Sequence, residues 1–323
     1  MALTRELSLH GDSIRPDPEM TLSELPFASV IIPVYDDTEA LCQCLKALSR
    51  QTYPASRYEV IVVDNGSRQD LGPAVSVAAP NVTFAEERKV GSNAARNKGL
   101  DLSRGEVIAF TDSDCVPEEN WLVRGARALL GASNGGLVGG GIDVFPKSPA
   151  APTIEEIYDA STSLRQQFYI EDKHFASTAN AFTFRRVLNH VGPFDERLKS
   201  SGDNEPGNRI FKAGYTLCYA PDAVVKHPAR STRAELVKKA KRLTGGFYDL
   251  EGKPNKTFVF WRRRLRDLLL PPVRFWLSET LKNPRLQRRF RLRFLYFWLG
   301  IYLHHAMTLE YVRLGFGRES QRS

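Results

Sequence analysis

Cysteine is scarce: 323 residues contain four, Cys42, Cys44, Cys115 and Cys218, as one C-x-C pair and two lone thiols. That spacing excludes a disulfide-stapled fold and predicts reduced thiols in an intracellular, cytoplasmic protein. A metal site on Cys42 and Cys44 needs further Cys or His partners nearby, and the sequence places none beside them, so packing is their expected role. The start has no basic stretch followed by an apolar run, so no cleaved secretion signal is expected. Long apolar runs are also missing. The longest near the end, 294–307, is 14 residues, against the roughly 20 that a membrane-spanning helix requires. No internal repeat is present, and no DNA- or RNA-binding motif accompanies the basic residues, which argues against nucleic acid as a partner.

What is present is enough apolar residue, 42%, for a large α/β core. Charge divides regionally. Residues 1–225 carry 22 basic and 30 acidic side chains, whereas 226–293 carry 20 and 5, so the net charge of +8 belongs to one stretch. Residues 1–25 read as a polar arm, 26–232 as the unit that carries chemistry, and 233–323 as a basic, aromatic, helical C-terminal region. From Ala28, short β-branched runs alternate with helical patterns: Ser29-Val30-Ile31-Ile32, a helix over 39–50, Glu59-Val60-Ile61-Val62-Val63, a helix over 70–78, Val82-Thr83-Phe84, a helix over 93–102, then Val107-Ile108-Ala109-Phe110. Continuous apolar strands between helices predict a doubly wound, mostly parallel sheet covered on both faces. A further helix over 118–130 and a Gly-rich strand over 135–144 extend it.

Ligands of such sheets bind beyond the carboxyl ends of the strands. Three polar segments stand there: Pro33-Val34-Tyr35-Asp36, Asp64-Asn65-Gly66-Ser67 and Thr111-Asp112-Ser113-Asp114. Asp112 and Asp114 can aim two carboxylates at one cation, and hard oxygen ligands favour Mg2+ or Mn2+ with a nucleotide diphosphate completing the shell. Alone, the triplet is short and common, and reads first as an Asp-rich turn.

Its company is more specific. Val30-Ile31-Ile32-Pro33-Val34-Tyr35, Val62-Val63-Asp64-Asn65-Gly66-Ser67, Ala94-Ala95-Arg96-Asn97-Lys98-Gly99 and Thr111-Asp112-Ser113-Asp114 have an order and spacing that resembles the family 2 glycosyltransferases, over about residues 28–227. The resemblance implies a GT-A fold, a nucleotide-sugar donor (a UDP-sugar foremost), transfer to a hydroxyl of a glycan or lipid-linked acceptor, and inversion at the sugar carbon. It places Pro33, Tyr35 and Asp64 on the nucleobase and ribose, Arg96 and Asn97 on the nucleotide, and Asp112 and Asp114 on the metal, with Asp112 alternatively on the donor ribose. Asp36 stands where such enzymes often have Asn, as donor contact or helix cap. Gly202-Asp203-Asn204-Glu205-Pro206-Gly207-Asn208-Arg209 resembles the family's acidic motif, with Asp203 six residues before Arg209, so Asp203 is the expected catalytic base and Glu205 a supporting acid. Gly202 and Pro206 depart from the common pattern and leave the choice between the two carboxylates open. His227, after Ala223-Val224-Val225-Lys226, is a metal or diphosphate ligand in this reading, and Asn180 an acceptor contact.

The C-terminal arginines Arg262, Arg263, Arg264, Arg285, Arg288, Arg289, Arg291 and Arg293 interleave with Trp261, Phe275, Trp276 and Phe290. Cationic aromatic helices suit an anionic membrane surface, peripherally bound; packing on the preceding domain is the other reading. A nucleotidyltransferase and a non-catalytic nucleotide-sugar-binding module are the competing functions, the Asp203 motif favouring sugar transfer.

Overall fold

The computed structural model describes residues 21–78, 82–198, 202–250, 258–287 and 289–320. Most of the expected N-terminal arm, together with Ser201 and Arg288, lies outside them. The first half alternates as the sequence predicts: β1 (Ala28–Val34), α1 (Thr38–Leu48), β2 (Tyr58–Asp64), α2 (Gly72–Ala78), β3 (Thr83–Glu86), α3 (Ser92–Leu102) and β4 (Val107–Thr111). Every residue of β1 and β4 is buried, because helices cover both faces of these central strands. β2 and β4 flank β1 in parallel, and β3 joins β2 in parallel.

The chain continues through β5 (Val116–Pro117), α4 (Trp121–Gly131), β6 (Gly135–Phe145), α5 (Ile154–Thr162), α6 (Gln166–Lys173), β7 (Asn180–Phe184), α7 (Arg185–Val191), α8 (Asn204–Lys212) and β8 (Thr216–Pro228). The eight strands form one sheet in the order β3-β2-β1-β4-β7-β6-β8-β5. β7 runs antiparallel to both β4 and β6, and β5 antiparallel to β8, while β6 and β8 are parallel. The sheet is therefore mixed: parallel up to β4, as the alternation predicts, and reversed at β7. An apolar run such as Asn180–Phe184 reports burial and says nothing about strand direction.

Packing ties the layers together at close range. Gly125 of α4 lies against Phe182 of β7, where an added Cβ would stand 2.1 Å from the ring. Beyond the sheet come α9 (Arg233–Leu250), α10 (Phe258–Leu269), α11 (Val273–Lys282) and α12 (Phe290–Gly315). Leu299 and Leu303 of α12 pack on Leu236 and Ala240 of α9. Trp276, Leu286, Tyr296 and Ile301 form a second cluster with Ile157 of α5, so these helices pack on the preceding part of the chain. One face of α12 remains open: Phe294, Trp298 and Tyr302, at four-residue spacing, are each about half exposed or more. No described helix is long and apolar enough to cross a membrane.

Candidate active site

The loops after β1 and β2 are sewn to each other. Asp36 adopts a left-handed conformation, φ 53°; its carboxylate accepts from the Arg68 backbone N–H at 2.8 Å and from Arg68 Nε at 2.7 Å, and its own N–H donates to Ser67 Oγ. Asp36 thus joins two loops and does not cap α1, whose N-cap residue is Asp37. Asp64 accepts from the N–H and the hydroxyl of Ser67 at 3.1 and 2.5 Å. Asn65 reaches the next loop, donating to the carbonyls of Glu87 and Lys89 and accepting from Gly91 N–H. Pro33 is buried within β1, and Tyr35 stands half exposed beyond it.

Asp112-Ser113-Asp114 leaves β4 as a tight turn closed by Cys115 N–H on the Asp112 carbonyl at 3.1 Å. The turn points its two carboxylates at different partners. Asp112 Oδ1 accepts from Arg96 Nη2 at 2.8 Å, and Arg96 is buried. Asp114 Oδ2 lies 3.3 Å from His227 Nε2; β5 brings this about by pairing Val116 with Lys226, next to His227 at the end of β8. His227 Nδ1 stands 2.8 Å from the Pro228 carbonyl, so the hydrogen resides on Nδ1 and Nε2 confronts a carboxylate oxygen. Only a cation or a proton between them reconciles two acceptors, and an imidazole whose far nitrogen is anchored on a carbonyl is the usual arrangement of a metal ligand. Burial pushes the Asp114 carboxyl up, against the attraction of His227. No cluster of three or more His, Cys, Asp or Glu ligands occurs among the described residues. Asp114 and His227 thus place one carboxylate oxygen and one imidazole nitrogen side by side, a pair whose nitrogen suits Mn2+ better than the all-oxygen preference of Mg2+.

A cleft of about 270 Å3 adjoins this pair, lined by Arg96, Asp112, Asp203, His227 and Arg230 among others. Asp203 is half buried at the start of α8. Burial raises its carboxyl above the ordinary range, with Arg96 opposing.

Three predicted residues are placed elsewhere. Glu205 is held by Arg209 in a two-pronged pair, 2.6 and 2.9 Å, and lines a separate surface hollow with Asn208 and Lys212; it does not face the cleft. Asn180 is fully buried, accepting from Trp121 Nε1 at 2.8 Å and donating to the carbonyls of Gly141 and Ala223. Its side-chain amide ties β7 to α4, to β6 and, across β6, to β8, leaving nothing for an acceptor. Asn97 donates to the Phe194 carbonyl and Glu196 and accepts from Phe194 N–H, fixing the loop after α7.

The sequence reading missed the far wall. Lys239, Arg242, Leu243 and Phe247 of α9 line the cleft, although a boundary at 232 assigns them to another region. Lys239 and Arg230 converge on Asp159, at 2.8 and 3.2 Å. Burial raises Asp159, but the two cations more than reverse this and hold it well below the carboxylate range; burial and Arg230 draw Lys239 down to about 8. The i, i+3 spacing of Lys239 and Arg242 was the available signal, obscured by the basic residues around it.

Comparison with known proteins agrees with this architecture. Glycosyltransferase AglE of Haloferax volcanii is 41% identical over 228 residues, 69% of this chain and 74% of that protein. The mannosyltransferase PcManGT from Pyrobaculum calidifontis, solved with GDP-Man and Mn2+, superposes with a TM-score of 0.61 at 18% identity, over 93% of this chain and 89% of that one. GalNAc-T7, solved with UDP, GalNAc and Mn2+, gives 0.50 at 16% identity, over 64% and 44%. These structures share the GT-A fold. Residues 29–192 match the family described as Glycosyl transferase family 2, and this chain belongs to that family.

Proposed function

We propose that the chain transfers a sugar from a nucleotide-sugar donor to a hydroxyl acceptor with inversion, and that Asp203 is its base. The observation that carries the reading is the single cleft in which Asp203, Arg96, Asp112 and His227 meet, beside Asp114. Asp114 and His227 would hold Mg2+ or Mn2+, which neutralises the donor diphosphate and stabilises it as a leaving group. Arg96 fixes Asp112 toward the donor. Asp203 takes the proton of the acceptor hydroxyl as that oxygen attacks the anomeric carbon and the carbon–phosphate oxygen bond breaks. Tyr35 and Asp64, on adjoining loops, are the proposed base and ribose contacts. UDP- and GDP-sugars are screened for Mn2+-dependent transfer or hydrolysis. Asp203→Asn should lose at least about 100-fold in kcat while binding nucleotide, and Asp114→Ala should lose metal-dependent binding; full activity in both variants rejects the site.

We also propose that the chain works peripherally on an anionic, cytoplasmic membrane surface. Exposed Phe275, Leu277, Phe290, Phe294, Trp298 and Tyr302 on α11 and α12 stand among exposed Arg274, Arg285, Arg289 and Arg291. Apolar side chains with interspersed arginines match the interface between acyl chains and anionic headgroups. A lipid-linked acceptor would be presented at that surface.

A further inference from the structure

Gly202, the residue before Asp203, is bare for a steric reason. Its backbone lies outside the left-handed region that favours glycine, so conformation alone permits an alanine there. Space forbids it. A Cβ on Gly202 would stand 2.3 Å from Nδ2, 2.4 Å from Oδ1 and 2.7 Å from Cγ of Asn93. With Cγ the farthest of the three, the amide meets Gly202 tip first, its two polar atoms straddling the space a side chain would take. Asn93 is only 2% exposed, lines the cleft with Asp203, and donates from Nδ2 to the Asp195 carbonyl at 2.8 Å. It therefore grips the chain at Asp195 and again at Gly202, next to the base.

The same helix holds the donor side. Arg96, three residues along α3 and also buried, binds Asp112 at 2.8 Å, and residues at that spacing share a helix face about 4.5 Å apart along the axis. Asn97 fixes the backbone of Phe194 by one donated and one accepted bond. At the far end of α8, Arg209 donates to the carbonyls of Gly192 and Pro193. The start of α8, where Asp203 stands, has the Asn93 amide as its neighbour. One rigid turn of α3 thus spans the distance between Asp112 and Asp203, with Arg96 at one end and Asn93 at the other.

We propose that Asn93 is a positioning residue for the base: by filling the space beside bare Gly202 it sets the Asp203 carboxylate at the separation from the donor that transfer requires. This deepens the reading of the cleft as a glycosyl-transfer site and rests on Asp203 as its base.

The test is a double-substitution cycle on the full chain with Asn93→Ala, Gly202→Ala and the pair. Asn93→Ala removes all three atoms that the new Cβ would strike, so the pair should relieve the clash that Gly202→Ala creates alone. With whichever UDP- or GDP-sugar supports Mn2+-dependent turnover, Gly202→Ala should lose about 100-fold in kcat and Asn93→Ala about tenfold, the cost of a base displaced by about 1 Å or less. The pair should be no worse than Asn93→Ala, while donor KM and calorimetric affinity for UDP and GDP stay within about twofold of the parent throughout. A loss in the pair equal to the product of the single losses shows two independent residues and overturns the proposal. Parent kcat in either single variant overturns it as well, and so does a donor KM that rises as far as kcat falls, which makes Asn93 a donor contact. Melting temperatures decide the contact without turnover: Gly202→Ala should melt below the parent, or fail to fold, and the pair should melt no lower than Asn93→Ala. Additive lowering overturns the contact. The two readings fail separately. Full kcat in Asp203→Asn with coupled losses at Asn93 and Gly202 sinks the choice of base alone, whereas an inactive Asp203→Asn with uncoupled effects at Asn93 and Gly202 sinks the positioning role alone.

Discussion

Burial raises the carboxyls of both Asp159 and Asp203, but Lys239 and Arg230 reverse the shift at Asp159 and leave the two displaced in opposite directions. Asp203 titrates above the usual value of about 4, and it must be ionised to accept a proton. Turnover should therefore fall as pH drops through that raised value, placing the acid limb of kcat/KM above the ordinary carboxylate range; a limb at or below about 4 would contradict the assignment. For Asp159 the sign is opposite. Its folded value is depressed by Lys239 and Arg230, so its contribution to stability is complete above the unfolded value near 4 and is lost as pH falls below it. At pH 7, Asp159→Asn leaves two partly buried cations unpaired and should cost about 3 kcal/mol in urea unfolding; a variant as stable as the parent would show the pair to be structurally idle.

At the scale of elements, α12 is held by close approach as well as by apolar area. A Cβ at Gly300 would stand 2.3 Å from Trp276 of α11, so Gly300→Ala should destabilise by about 1–3 kcal/mol and increase proteolysis between α11 and α12; an unchanged melting temperature counts against this. The elements before β5 were legible because buried parallel strands must be apolar throughout and the intervening helices keep a 3.6-residue period. Asp114 and His227 were legible as a pair only through the family resemblance, since nothing local in either segment reveals that β5 and β8 run side by side. Asn180 and Asn97 misled for a physical reason: an amide near a strand or loop end satisfies buried backbone groups as readily as it binds a ligand. The role of α9 was obscured because Lys239 and Arg242 stand among several exposed cations, and their burial depends on packing that the local sequence does not encode.

The whole molecule is asymmetric, with its chemistry in the sheet and its positive charge in the helices beyond β8. If the open faces of α11 and α12 dock on lipid, the full chain should co-sediment with phosphatidylglycerol-containing vesicles and less with neutral ones, and added salt should weaken the association. Replacing Phe294 and Trp298 by Ser should lower binding by about tenfold. Equal sedimentation of the variant and the parent on anionic vesicles would eliminate this face as the contact.

Leu236 and Ala240 seat α9 on α12, while Lys239, Arg242 and Leu243 face the cleft. The two sets lie on adjoining stripes of one helix, and one inserted residue turns everything downstream by about 100°. Insertion between Leu236 and Lys239 would exchange cleft side chains for core side chains. Through sequence drift, the first half of α9 can accordingly change its residues one at a time, but it cannot change its length.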